Sequence, residues 1–229
     1  YEKEGQDQGG LWTMGLVYSG LTCLLLAILT IYLLEDKGID TGLQERICLF
    51  GLISLFILYN SYYGPVEDFL YNCRIIFMVP FLISISIVDA RTRWVFDIDV
   101  VGGTLVSQLI LGLKILEILL DKVNDVDKIG LLLYNNIIGL ILLVGLSYGL
   151  YRLTKGIGMG DVLVFAMVGT MGGWMDSLMV FFMSFISAGL YCVVILINGI
   201  NTGKRDGLIA FTPFISIGFI VTYEVIKLI

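Results

Sequence analysis

The chain has no histidine among its 229 residues. Sites that depend on an imidazole are thereby excluded together: Ser-His-Asp and Cys-His nucleophiles, HExxH zinc sites and histidine proton relays. Charge is sparse as well, at 15% of residues against about 25% in soluble domains. Fourteen Lys and Arg face twenty Asp and Glu, with no cluster of four or more basic residues, so nothing provides a footprint for nucleic acid. The four cysteines, Cys23, Cys48, Cys73 and Cys192, form no CxxC pair and are expected to be buried structural thiols rather than zinc or redox ligands. No metal and no cofactor is expected. Proton chemistry near neutral pH is left to carboxylates.

Apolar residues fill the remaining space. They make up 58% of the chain, the mean hydropathy is +0.93, and a bilayer-crossing helix needs about 20 such residues. The pattern predicts an all-α polytopic membrane protein, multi-pass in the cell membrane, folded as one transmembrane domain over 1–229 behind a polar, acidic segment at 1–10. That segment lacks the basic start of a signal peptide. About eight transmembrane helices are expected, over residues 11–34, 47–66, 69–88, 100–120, 129–151, 162–175, 177–203 and 207–223. Arg74 near the start of the third is expected to snorkel, Pro80 to kink it, and Lys114 and Glu117 on the fourth to pair or reach the interface. The sixth is too short to span and opens on a glycine-rich stretch, as where irregular backbone borders a polar cavity.

Lys37, Arg46, Arg91, Arg93, Arg152, Lys155, Lys204 and Arg205 fall on one side of this topology. Lys3, Arg74, Lys122, Lys128 and Lys227, with Lys114 nearby, fall on the other. The first set forms tight pairs at helix ends, which makes that side cytoplasmic. Asp89, in SIVDARTRWVFDID, and Asp161, in KGIGMGDVLVFAMVG, then face the cytoplasm together. Two carboxylates in one partly dry site share a proton, so that one acts as base toward water while the other polarises a carbonyl. Glycines ahead of the second Asp let another backbone approach it. Simpler roles stand beside this one: Asp161 as a helix N-cap, Asp89 solvated or paired with Arg91 or Arg93, and Asp97 or Asp99 as the first partner instead.

GIGMGD at 156–161 resembles the GxGD signature of the type IV prepilin peptidases, membrane aspartyl endopeptidases that include preflagellin peptidases. The ordered features over 75–220 are similar to that family: Asp89 with Asp97 eight residues on, Asp161 closing GxGD, and FTPFISIG at 211–218, which resembles a late motif of apolar residue, Gly or Ala, Pro, Phe and a Gly a few residues on. The resemblance implies catalysis by Asp89 and Asp161, a backbone role for Gly158 and Gly160, and packing near the site by Pro213 and Phe214. It implies removal of a basic leader from prepilin, pseudopilin or preflagellin-like preproteins at the cytoplasmic face, in type IV pilus assembly or protein secretion. Phe96 stands where the family loop has Pro, and Leu163 where a Lys commonly follows. The loop after the first helix carries none of the CxxC pairs of larger members, so neither their zinc-binding element nor methyltransferase activity is assigned. Glu35, Asp36, Asp40, Glu45, Asp97, Asp99 and Asp206 could steer a basic leader. A proton- or cation-coupled transporter using the same aspartates is the alternative, and a scaffold packed through Gly169 and Gly173 a further one.

Overall fold

A computed structural model describes residues 21–63, 69–120, 126–154, 156–202 and 209–225. The polar segment 1–10 lies outside them, as do Lys3, Lys122, Lys155, Lys204, Arg205, Asp206 and Lys227. Among the described residues all regular structure is helical. The chain divides into two compact units, residues 1–68 and 69–229.

In the first unit, α1 (Leu21–Glu35) and α2 (Leu43–Tyr63) flank a turn in which Gly38 takes a φ of +69°, a conformation that favours glycine. Arg46 closes the turn, pairing with Glu35 at 2.6 Å and donating to the Thr41 carbonyl and Oγ1 at 3.0 Å each. Cys23 Sγ and Ser54 Oγ, 2.8 Å apart, join the two helices further along.

The second unit comprises α3 (Phe69–Thr92), α4 (Asp97–Leu120), α5 (Val126–Thr154), α6 (Met159–Gly169), α7 (Trp174–Thr202) and α8 (Thr212–Ile220), which continues into one π turn, Val221–Val225. α3 packs on α4 and α8, α5 on α6 and α7, and α7 on α8. α3 is the central element: 61% of its most apolar stretch is buried, against 17–22% for α4, α5 and α7. Those three turn Leu105, Leu109, Ile137, Ile141, Phe182 and Ile186 outward. So much outward apolar surface is stable against hydrocarbon rather than water, and the protein is a membrane protein.

Four described helices are long and apolar enough to cross a bilayer: Phe69–Thr92, Asp97–Leu120, Asp127–Thr154 and Trp174–Ile197. α6, at eleven residues, rises only about 17 Å, as its sequence predicts. α8 is short as well. It begins at Thr212 with Pro213 in its first turn, where the missing N–H costs nothing, rather than at Gly207. α3 runs unbroken through Pro80. The Lys114–Glu117 pair forms at 3.0 Å. The thiols differ from expectation: Cys23 is buried, but Cys48 and Cys192 are exposed, since outward helix faces here suit any small apolar side chain.

Arg74 does not snorkel. It is 5% exposed, its Nε donates to Ser107 Oγ at 2.8 Å, and its Nη2 donates to the Thr170 carbonyl. That carbonyl also accepts from Asn136 Nδ2 at 2.8 Å. Because α6 stops inside the protein, the carbonyls at its end meet no water, and a cation with an amide takes water's place. Replacing Arg74 with Met should lower stability by about 1–3 kcal/mol, read as an earlier thermal transition of the detergent-solubilised protein.

Candidate active site

Asp89 lies in the last turn of α3 and Asp161 in the first turn of α6; both are buried. They meet at one residue. Thr212, wholly buried at the start of α8, donates its backbone N–H to Asp89 Oδ2 at 3.1 Å and its hydroxyl to Asp161 Oδ1 at 3.0 Å. The first N–H groups of a helix have no acceptor within it, and Asp89 supplies one to α8. An antiparallel polar seam continues below: Ser86 and Ser216 hydroxyls share a hydrogen bond of 2.7 Å, and Ser216 Oγ donates to the Leu82 carbonyl at 3.3 Å.

Asp161 is not the N-cap that its position after three glycines suggests. Gly158 caps α6 in extended conformation, φ −76° and ψ 158°, and Asp161 is the third helical residue, its Oδ2 accepting the Gly158 N–H at 2.9 Å. This is the half of a capping box that a glycine cap allows. Both carboxylates therefore sit at the positive end of a helix. At Asp161, in a helix too short to span, burial is the largest influence and pushes the carboxyl up to about 6. The bonds from Gly158 and Thr212 oppose that rise, and the charge of Asp89 adds to it.

The glycines have unequal roles. A Cβ on Gly160 would lie 2.7 Å from Val95 Cβ and 2.9 Å from its Cγ2, whereas one on Gly158 would meet Asp161 Oδ2 at 3.4 Å. Gly160 thus admits the loop between α3 and α4 against the turn that carries Asp161. Phe214 is buried and its ring lies 5.3 Å from Tyr191. Phe211 lies 5.0 Å from Phe185 and 6.2 Å from Phe165, joining α6, α7 and the start of α8, while Pro213 sets the first turn. Asp97 is exposed and opens α4; Asp99 is buried in the same turn, so it is no solvated charge for steering. Phe96 is exposed and Leu163 half-buried.

Sequence reasoning missed Thr212. A Thr before Pro at a helix start is a legible capping signal, but the two acceptors it finds come from α3 and α6, far away in the chain. Val95 was equally hidden, because only the packed loop sets it against Gly160.

Comparison with curated proteins and with solved structures gives no match. The sequence model of the type IV leader peptidase family matches residues 76–193, which is 118 of the 229 residues and takes in both aspartates and the glycine stretch. With more than half of its length matched, the chain belongs to the type IV leader peptidase family, and is a leader-peptidase-type protease of the membrane.

Proposed function

We propose that the protein is an aspartic endopeptidase in which Asp89 and Asp161 together activate water to remove the basic leader of prepilin, pseudopilin or preflagellin-like preproteins. The observation that carries this reading is the convergence of the two buried carboxylates on Thr212. In such a site one carboxylate is ionised and the other protonated. The ionised one takes a proton from water as it attacks the scissile carbonyl, while the protonated one gives its proton to the carbonyl oxygen. On collapse, the carboxylate that gained the proton passes it to the leaving amine, and a hydroxyl of the tetrahedral intermediate returns one to its partner. Product acid and amine result and the dyad is restored, with no covalent intermediate.

Arg91 and Arg93 at the end of α3 and Arg152 at the end of α5 flank the same end of the helices. Basic residues there favour a cytoplasmic dyad, where a leader retained in the cytoplasm presents its junction with an apolar helix. Exposed Asp97 offers a basic leader a countercharge. Membership of a peptidase family favours this chemistry over transport by the same aspartates. Co-expression with a preprotein bearing a basic leader ahead of an apolar helix tests it. Wild type should shorten the preprotein by the leader's mass and an Asp89→Asn/Asp161→Asn protein should not; uncleaved preprotein beside correctly inserted wild type would refute the substrate class.

A further inference from the structure

Two oxygens of Asp161 have different obligations. Oδ2 is committed to its own helix through the Gly158 N–H, whereas Oδ1 is turned toward α8 and accepts the Thr212 hydroxyl. The same residue fixes Asp89 through its backbone N–H, a bond that any residue but proline could make there. The hydroxyl bond depends on the Thr side chain.

Resting on the dyad reading, we infer that the Thr212 hydroxyl is a positioning group that aims Asp161 Oδ1 toward Asp89 and favours the ionised state of Asp161 during turnover. A hydroxyl donating to a carboxylate strengthens as negative charge develops on the acceptor. It is preorganised because Thr212 is wholly buried and the Phe211 and Phe214 rings hold its turn against α7. The neighbouring elements bring further charged groups to this end: Asp89 and Arg91 from α3, Arg93 from the loop after it, Asp97 and Asp99 from α4, and Arg152 from α5. Among these, Asp89 acts on Asp161, and in the opposite sense to Thr212.

Removing a donor to the ionised form raises a carboxyl's proton affinity. Whichever limb of the pH profile Asp161 governs must therefore move to higher pH in Thr212→Val, while a packing defect would lower the whole profile without moving it. The test is steady-state cleavage of a preprotein with a basic leader by the purified, reconstituted full chain as wild type, Thr212→Val, Thr212→Ala, Thr212→Ser and Asp161→Asn. Val and Ala should each lower kcat about tenfold with KM nearly unchanged and shift that limb up by about one pH unit. Ser, which keeps the hydroxyl, should restore both. Ala keeps the test open should Val fail to fold. Wild-type kcat and an unmoved limb in Val or Ala, or a Ser variant as impaired as Val, would overturn the inference while an inactive Asp161→Asn leaves the dyad standing. Cleavage by Asp161→Asn would overturn the dyad and this inference together.

Discussion

Asp161→Asn is expected to lower leader cleavage by about 10³-fold or more without unfolding the protein. Asn retains an oxygen to accept the Gly158 N–H, so the first turn of α6 keeps its cap. It loses the ability to ionise, and with it the exchange of a proton with Asp89 that the proposed mechanism requires. Stability should follow a different course. The Asp161 carboxyl is raised from its ordinary 3.8 to about 6 by burial first of all. Between those values the folded chain holds a proton that the unfolded chain has released, so stability falls as pH rises through this window and stays lowered above it. Asn carries no such cost, and at pH 7 the variant should melt at or above the wild-type temperature. A variant that is inactive because it is unstable would reverse that second observation.

The second large effect is expected at Gly160, where alanine would set a methyl 2.7 Å from Val95 Cβ. Overpacking of this kind costs about 1–3 kcal/mol, and relief requires either the loop between α3 and α4 or the first turn of α6 to shift. Since Asp161 is the next residue, cleavage should fall on the order of 10²-fold, the effect of a displacement near 1 Å at reacting groups. Gly158→Ala is the control within the same motif. Its backbone has an ordinary φ of −76° and its nearest neighbour stands at 3.4 Å, so cleavage should stay within about threefold of wild type. Pairing Gly160→Ala with Val95→Gly removes the offending Cβ and should recover activity beyond the sum of the single effects. Equal losses at Gly158 and Gly160 would show that flexibility of the stretch, rather than one close approach, is what the glycines provide.

The membrane class, the helical content and the short α6 were legible because they depend on local quantities: apolar run length, charge spacing and glycine. Asp89 and Asp161 could be singled out because charge is rare in this chain, and the family resemblance ordered them. What escaped depends on distant partners. Arg74 looked like an interfacial residue because its neighbours in sequence are apolar, and only the folded chain brings Ser107 and the end of α6 to it. Thr212 reads as a capping residue, yet its acceptors lie 123 and 51 positions away. α6 starts about one turn before the residue at which its sequence suggests a start, since glycine favours a loop and Met159 and Gly160 nonetheless belong to the helix. The expected burial holds at Cys23 but fails at Cys48 and Cys192 for a related reason: in a soluble protein an apolar neighbourhood means burial, whereas here it also describes the outward faces that carry those two thiols.

The pairing of Asp89 with Asp161 is tested most directly by initial cleavage rates of the reconstituted protein as wild type, Asp89→Asn, Asp97→Asn, Asp99→Asn and Asp161→Asn on one preprotein with a basic leader. Background rates are expected for Asp89→Asn and Asp161→Asn alone, with cleavage retained by the Asp97 and Asp99 variants. A wild-type rate from Asp89→Asn, with loss of cleavage at Asp97 or Asp99 instead, would contradict it.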